Sequence, residues 1–213
     1  MRVVGGMPFW FRSAAGRWFT GVAAAGVLAA LFVLDARIHD LVHNPYSGWF
    51  MNSVSRLRGI VFAVAASLAL FAAGLAARRE RLRRAGLAML FSVLLASLVV
   101  AVIKPMTSRP GPRGPEPPVP GESWLAARWG RFPSGHSAST FAAAAALAAF
   151  YPPTAPFGYA IGALVGYERI YRGVHNTSDV FAGACIGMVA AWVVIGRLRR
   201  REPWRRCIPE RGG

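Results

Sequence analysis

The chain has 213 residues, 54% of them hydrophobic and only 16% charged, with a mean hydropathy of +0.38, a length that suits one domain with a sizeable core. A net charge of +16 would suit a nucleic-acid backbone. However, a soluble basic domain does not carry several long apolar runs without charge, so the arginines read as membrane-flanking and nucleic acid is excluded as a partner.

In chain order, six segments are expected as membrane helices: 19–34, 59–77, 85–103, 137–151, 156–170 and 180–196. Several fall short of the ~20 residues that span a bilayer core, so flanking residues must extend them. The first follows Arg2, Arg12 and Arg17 and has the outline of a secretory leader. Five further spans follow it and no small-residue cleavage site closes it, so it is expected to be retained. Pro152, Pro153 and Pro156 set a tight turn between the fourth and fifth spans. The fold class is therefore all-α: a six-transmembrane-helix bundle with an extracytoplasmic segment between helices 3 and 4. It forms a single integral membrane domain over 1–213, with its core at 19–196 and a basic tail at 197–213.

Orientation follows from the arginines. With the N-terminus inside, fifteen of the 25 basic residues fall on the cytoplasmic side against three acids: Arg2, Arg12, Arg17, the cluster Arg78 to Arg84, and the tail from Arg197 to Arg211. The other side holds ten bases and six acids. Both termini are thus expected in the cytoplasm, with loops 35–58, 104–136 and 171–179 outside the plasma (inner) membrane. Cys185 lies in an apolar run and Cys207 in the tail, a placement that suggests neither a disulfide framework nor a metal site.

Three stretches on the outer side hold most of the reactive side chains: "KPMTSRPGPR" at 104–113, "PSGH" at 133–136 and "YERIYRGVHNTSD" at 167–179. Ser134 can cap the fourth helix, whose first-turn N–H groups then face an anion, and Gly135 permits close backbone approach. His136 beside that site can donate a proton to a leaving oxygen. His175 and Asp179, four apart, share a face on a helical turn, where the carboxylate can fix the imidazole tautomer and make it a better nucleophile. Arg169 and Lys104, the only lysine against 24 arginines, supply positive charge where a transferring phosphoryl group gathers negative charge. Singly, each has a plainer account as a cap, a structural pair or a snorkelling end. Their convergence on one side favours a site.

Asp35, His39 and His43 fall at i, i+4 and i+8, one face if the first helix runs on past the membrane. Such a trio can in principle hold a metal ion; the plainer account is a set of interfacial polar residues ending a helix before Pro45. In "SWLAARWGRF", 123–132, a helix would place Trp124, Leu125, Trp129 and Phe132 on one face, either as an interfacial anchor or as a guide for a lipid.

These motifs resemble the type 2 phosphatidic acid phosphatase superfamily, whose pattern is K-x6-R-P, then P-S-G-H, then S-R-x5-H-x3-D, on a six-helix membrane core. Pro133-Ser134-Gly135-His136 matches the second motif. Arg169, His175 and Asp179 match the third, with Glu168 in place of serine. From Lys104 the first motif's spacing lands on Gly111-Pro112, whereas an Arg-Pro occurs two residues early at Arg109-Pro110. Arg109 is taken as the motif's arginine from a shifted register, with Arg113 the other candidate.

The resemblance implies a membrane lipid phosphatase in which His175 attacks phosphorus to form a phosphohistidine. Asp179 orients it and His136 protonates the leaving group. Lys104, Arg109, Ser134, Gly135 and Arg169 bind the phosphoryl oxygens. No metal, cofactor or obligate protein partner is implied. The substrate would be a phospholipid or polyprenyl phosphate in the bilayer: undecaprenyl diphosphate, phosphatidic acid, phosphatidylglycerophosphate or lipid A, with a polyprenyl or glycerolipid phosphate preferred. Two rivals stand beside this reading: transfer of the phosphoryl group to another lipid, and a catalytically inactive protein that binds anionic lipid, suggested by Gly111 and Glu168.

Overall fold

The structure is a computed structural model that describes residues 14–44, 48–55, 59–107, 109–112 and 130–208. Among these residues it is all-helical apart from a one-residue bridge at Gly111. The order is α1 (Ala14–Val42), α2 (Trp49–Ser55), α3 (Gly59–Ala76), α4 (Glu80–Thr107), α5 (Gly135–Phe150), a 3-10 turn (Pro152–Thr154), α6 (Ala155–Tyr171), α7 (Thr177–Arg199) and a short α8 (Glu202–Arg205). Arg113, Glu116, Glu122 and residues 123–129 of the expected amphipathic segment lie outside the described residues, as do Arg2 and Arg12.

Among the described residues, four helices are long and apolar enough to cross a membrane: 18–42, 59–76, 80–107 and 177–199. The other two expected spans form α5 and α6, helices of 16 and 17 residues. The first helix is longer than its expected span. It runs through Asp35, His39 and Val42, because no proline or glycine stands between Gly26 and Pro45.

Alanine explains the packing. Apolar surface gains little by leaving lipid for protein, so membrane helices associate through close backbone approach at small residues. Accordingly, α5 sits at the centre against α3, α4, α6 and α7, with Ala138, Ala142 and Ala146 fully buried. Ala138 and Ala142 meet Ala63, Val93, Ala96 and Ala190 of neighbouring helices, and Ala146 meets Met89 and Ala191. Gly183 and Gly187 of α7 bring that helix closest. A Cβ at Gly183 would stand 2.3 Å from the Ser134 carbonyl oxygen, and one at Gly187 2.3 Å from that of Ala138. By contrast, α1 packs mainly on α7 and leaves Trp18, Phe19, Val22 and Val33 exposed, as suits a lipid-facing helix.

The far end of the bundle is closed by the basic segments. Arg81 donates to the carbonyl of Phe150 and lies 4.6 Å from the Tyr151 ring centroid. Arg84 stacks on Trp204 at 5.5 Å, and Ile208 is buried beneath.

Chain direction then decides where the motifs meet. Lys104 ends α4, His136 begins α5, Arg169 ends α6 and Asp179 begins α7, so all four lie at one end of the bundle. We expect Gly187→Ala to destabilise the protein by about 1–3 kcal/mol, the scale of overpacking, since its Cβ would meet backbone atoms of Ala138 and Ala142 that cannot rotate away. Thermal unfolding of the purified protein in detergent measures this.

Candidate active site

The third motif is built by a turn and a helix start. Beyond α6 the chain folds back at Gly173, whose φ of 61° suits a residue without Cβ. The amides of Val174 and His175 both donate to the Arg169 carbonyl, at 3.0 and 3.2 Å. Asn176 caps α7, and Asp179 reaches back to accept from the Asn176 amide at 2.8 Å, a capping box. His175 therefore precedes the helix and shares no helical face with Asp179, contrary to the spacing argument. The box brings the two together instead, placing His175 Nδ1 3.6 Å from Asp179 Oδ2. That is within ion-pair reach but longer than a hydrogen bond, a slack common at sites without substrate.

The second motif is tied to the third through the backbone. The Ser134 amide donates to the Asp179 carbonyl at 2.9 Å. Ser134 caps α5 and is fully buried, its Oγ accepting from the Ser137 hydroxyl at 3.3 Å. The first-turn amides of α5, beginning at Gly135, thus point out of the helix toward the site. His136 lies in the electrostatic reach of Arg169, His175 and Lys104, and Lys104 in that of Asp179 and Arg131. His136, His175, Asp179, Lys104, Arg169, Ser134 and Gly135 are thereby gathered at one place.

Arg109, expected to bind phosphoryl oxygens, is engaged by two carboxylates. Its Nη1 donates to Asp179 Oδ1 at 2.7 Å and to Ser178 Oγ at 2.6 Å, and its Nη2 to Asp35 Oδ2 at 2.8 Å. The guanidinium also lies 4.3 Å from the Phe32 ring centroid. With both terminal nitrogens held by carboxylates of α1 and α7, Arg109 braces Asp179 from behind. The pairing of Arg109 with Asp35 spans 74 positions, beyond the reach of any local sequence motif.

Asp35, treated above as interfacial, is 4% exposed. It accepts from the Ser178 amide at 3.0 Å, from the Ser178 hydroxyl and from Arg109. Its place in a metal trio is thus taken by protein donors, while His43 Nδ1 lies 3.0 Å from the Tyr171 carbonyl and its ring stacks on that of His39. A buried acid toward the end of an apolar helix is itself a sign of function. Glu168, in the family's serine position, is 1% exposed. It accepts from Arg169 Nε and lies 3.7 Å from Arg172 Nε, so it holds Arg169 by one edge.

His175 is 4% exposed. Burial pushes its imidazole below the ordinary value of 6.5; the Asp179 carboxylate works against this, and the Lys104 and Arg131 cations add to it. A neutral imidazole held beside a carboxylate, facing a second imidazole, a helix N-terminus and several cations, is equipped to attack phosphorus and stabilise the charge that develops.

The PAP2 superfamily model matches residues 85–203, more than half of the chain, and the chain belongs to that superfamily, whose members include lipid phosphatases. The crystal structure of a transmembrane PAP2-type phosphatidylglycerolphosphate phosphatase from Bacillus subtilis is similar, with a TM-score of 0.62 and 25% identity over 86% of this chain and 94% of that one. LpxE from Aquifex aeolicus shares the fold at a TM-score of 0.56 and 23% identity, over 76% of this chain and 95% of that one. No curated protein sequence matches the chain. With its apolar helices and this membrane neighbour, the chain is an integral membrane protein.

A depressed His175 is already deprotonated below neutrality, so the acid limb of kcat/KM should fall below pH 6.5, the unshifted imidazole value. Asp179→Asn removes the group that raises this pKa, so it should move the limb lower still while reducing kcat. A pH–rate profile of phosphate release by the two proteins checks both shifts.

Proposed function

We propose that the protein hydrolyses a lipid phosphate or diphosphate at the outer face of the membrane through a phosphohistidine. The observation that carries this reading is the placement of His175 against Asp179, within electrostatic reach of His136. Since Nδ1 faces Asp179, Nε2 is the attacking nitrogen. The new N–P bond forms as the P–O bond to the lipid breaks, and the leaving oxygen takes its proton from His136. Water then attacks phosphorus, giving its proton to His136 and freeing His175 as phosphate departs.

Lys104, Arg169 and the first-turn amides from Gly135 bind the phosphoryl oxygens. Ser134 serves chiefly by setting the start of that helix, and Arg109 by holding Asp179 in place. A carboxylate at 168 is compatible with activity, since Glu168 restrains Arg169 without taking it from the site.

Six spans with both termini in the cytoplasm follow from the arginine distribution, with α5 and α6 as the short central spans. The motif end of the bundle then lies outside, at headgroup level. The substrate is a glycerolipid phosphate, the class that gives the Bacillus subtilis phosphatase its name, or a polyprenyl diphosphate. The reaction needs no metal: Asp35, the carboxylate best placed to anchor one, is engaged by Arg109 and Ser178.

Phosphate release from a panel of lipid phosphates by the detergent-solubilised protein tests the reading. His175→Ala should abolish release while the protein still folds, and His136→Ala should slow it by about 10² to 10⁴, the range of general-acid catalysis. Wild-type turnover in His175→Ala would remove the nucleophile. In a separate assay, release should persist in EDTA and be blocked by vanadate, which mimics five-coordinate phosphorus; loss on chelation with recovery on adding a divalent ion would contradict the metal-free mechanism.

A further inference from the structure

We propose that Arg131, in the segment leading into α5, is a phosphate-binding arginine, standing in the space where residue 111 would otherwise extend its own side chain. The inference deepens the hydrolytic reading and rests on it for the nature of the ligand.

The first observation is steric. Gly111 occupies the position that the K-x6-R spacing assigns to arginine. A Cβ built on Gly111 would lie 3.2 Å from Arg131 Cγ and 3.5 Å from Arg131 Nε. The Arg131 stem thus passes through the volume that a side chain at 111 would enter, and its Nε lies close by. Any longer residue at 111 would have to displace it.

The second observation is the backbone that holds this arrangement. The Arg131 amide donates to the Arg109 carbonyl at 2.8 Å, so the segments 109–112 and 130–133 run side by side just before Ser134. Thr107 Oγ1 donates to the Phe132 carbonyl at 2.9 Å, fastening the same segment to the end of α4 beside Lys104. Phe132 packs on Phe32 of α1 at 5.4 Å between ring centroids. Arg131 is therefore carried on a strap fixed at three points, three residues from the helix N-terminus that faces the site.

The third observation is where its charge falls. Arg131 acts electrostatically on both His175 and Lys104. Arg109 is turned instead to Asp35 and Asp179. Cations converging on the nucleophile repel one another, and an anion with several oxygens relieves that repulsion. A guanidinium presents a planar fork suited to two of those oxygens at once, which Lys104 beside it cannot offer. Two arginines thus divide the work: Arg109 restrains Asp179 and Arg131 faces the phosphoryl group.

Vanadate and inorganic phosphate are the probes, with binding measured by calorimetry on the purified full chain in detergent, so that no turnover is needed. Arg131→Met keeps the apolar stem over Gly111 and removes only the fork. It should weaken vanadate binding on the order of 10²-fold, comparable to removing one preorganised donor. The exchange Gly111→Arg with Arg131→Gly returns the arginine to position 111 and should recover most of the affinity lost in Arg131→Gly. Wild-type vanadate affinity in Arg131→Met would overturn the assignment. If wild type releases no phosphate from any lipid while Arg131→Met still loses vanadate, the hydrolytic reading falls and the anion site stands. If wild type hydrolyses lipid phosphates and Arg131→Met binds vanadate as tightly, the inference alone falls.

Discussion

Burying the Asp179 carboxylate is the constraint on which the rest of the site depends. The side chain is fully inaccessible, and an isolated carboxylate there would take up a proton rather than stay charged. It remains useful to His175 only if other groups stabilise its charge. Arg109 supplies a cation at 2.7 Å and the Asn176 amide a second donor at 2.8 Å. The Asp179 carbonyl meanwhile receives the Ser134 amide, so the residue beside His175 also sets the distance to the helix bearing His136. The start of α7 and the start of α5 are in effect one rigid unit.

That constraint reaches out to the first helix. Almost none of α1's apolar stretch is buried, so packing alone fixes it weakly. Asp35 compensates, joining the Ser178 amide and hydroxyl and the second nitrogen of Arg109. One guanidinium shared between two carboxylates leaves a net negative charge, which the donors of Ser178 and Asn176 offset. In apolar surroundings such bonds are strong and costly to half-satisfy. The helix outside the family-matched region is therefore held by the same arginine that serves the catalytic carboxylate.

Much of this was legible in the sequence, and the reasons differ by level. Apolar runs and prolines located the helices because membrane spans must satisfy their backbones internally. The motif residues met because four consecutive helix ends carry them. Local spacing misled at His175 and Asp179: four residues apart suggested a shared helical face, whereas Asn176 starts the helix between them and the capping box makes the contact. Asp35 and Arg109 could not be paired from sequence, since neither periodicity nor a local motif links positions 74 apart. The same holds for Arg131, whose proximity to Gly111 exists only once 109–112 and 130–133 lie side by side.

The departures from the family pattern, Gly111 and Glu168, first suggested an inactive relative. In three dimensions each has a neighbour that accounts for it. Glu168 lies buried against Arg169 and within reach of Arg172. A serine there would remove this carboxylate from both guanidiniums, so the substitution adds a restraint on a cation at the site. Gly111 leaves room that the Arg131 stem fills, and a side chain at 111 would collide with it. A pattern read position by position scores both as losses. Read as the placing of charge around His175, they are exchanges: positive charge still surrounds the nucleophile, carried by residues that arrive from different parts of the chain.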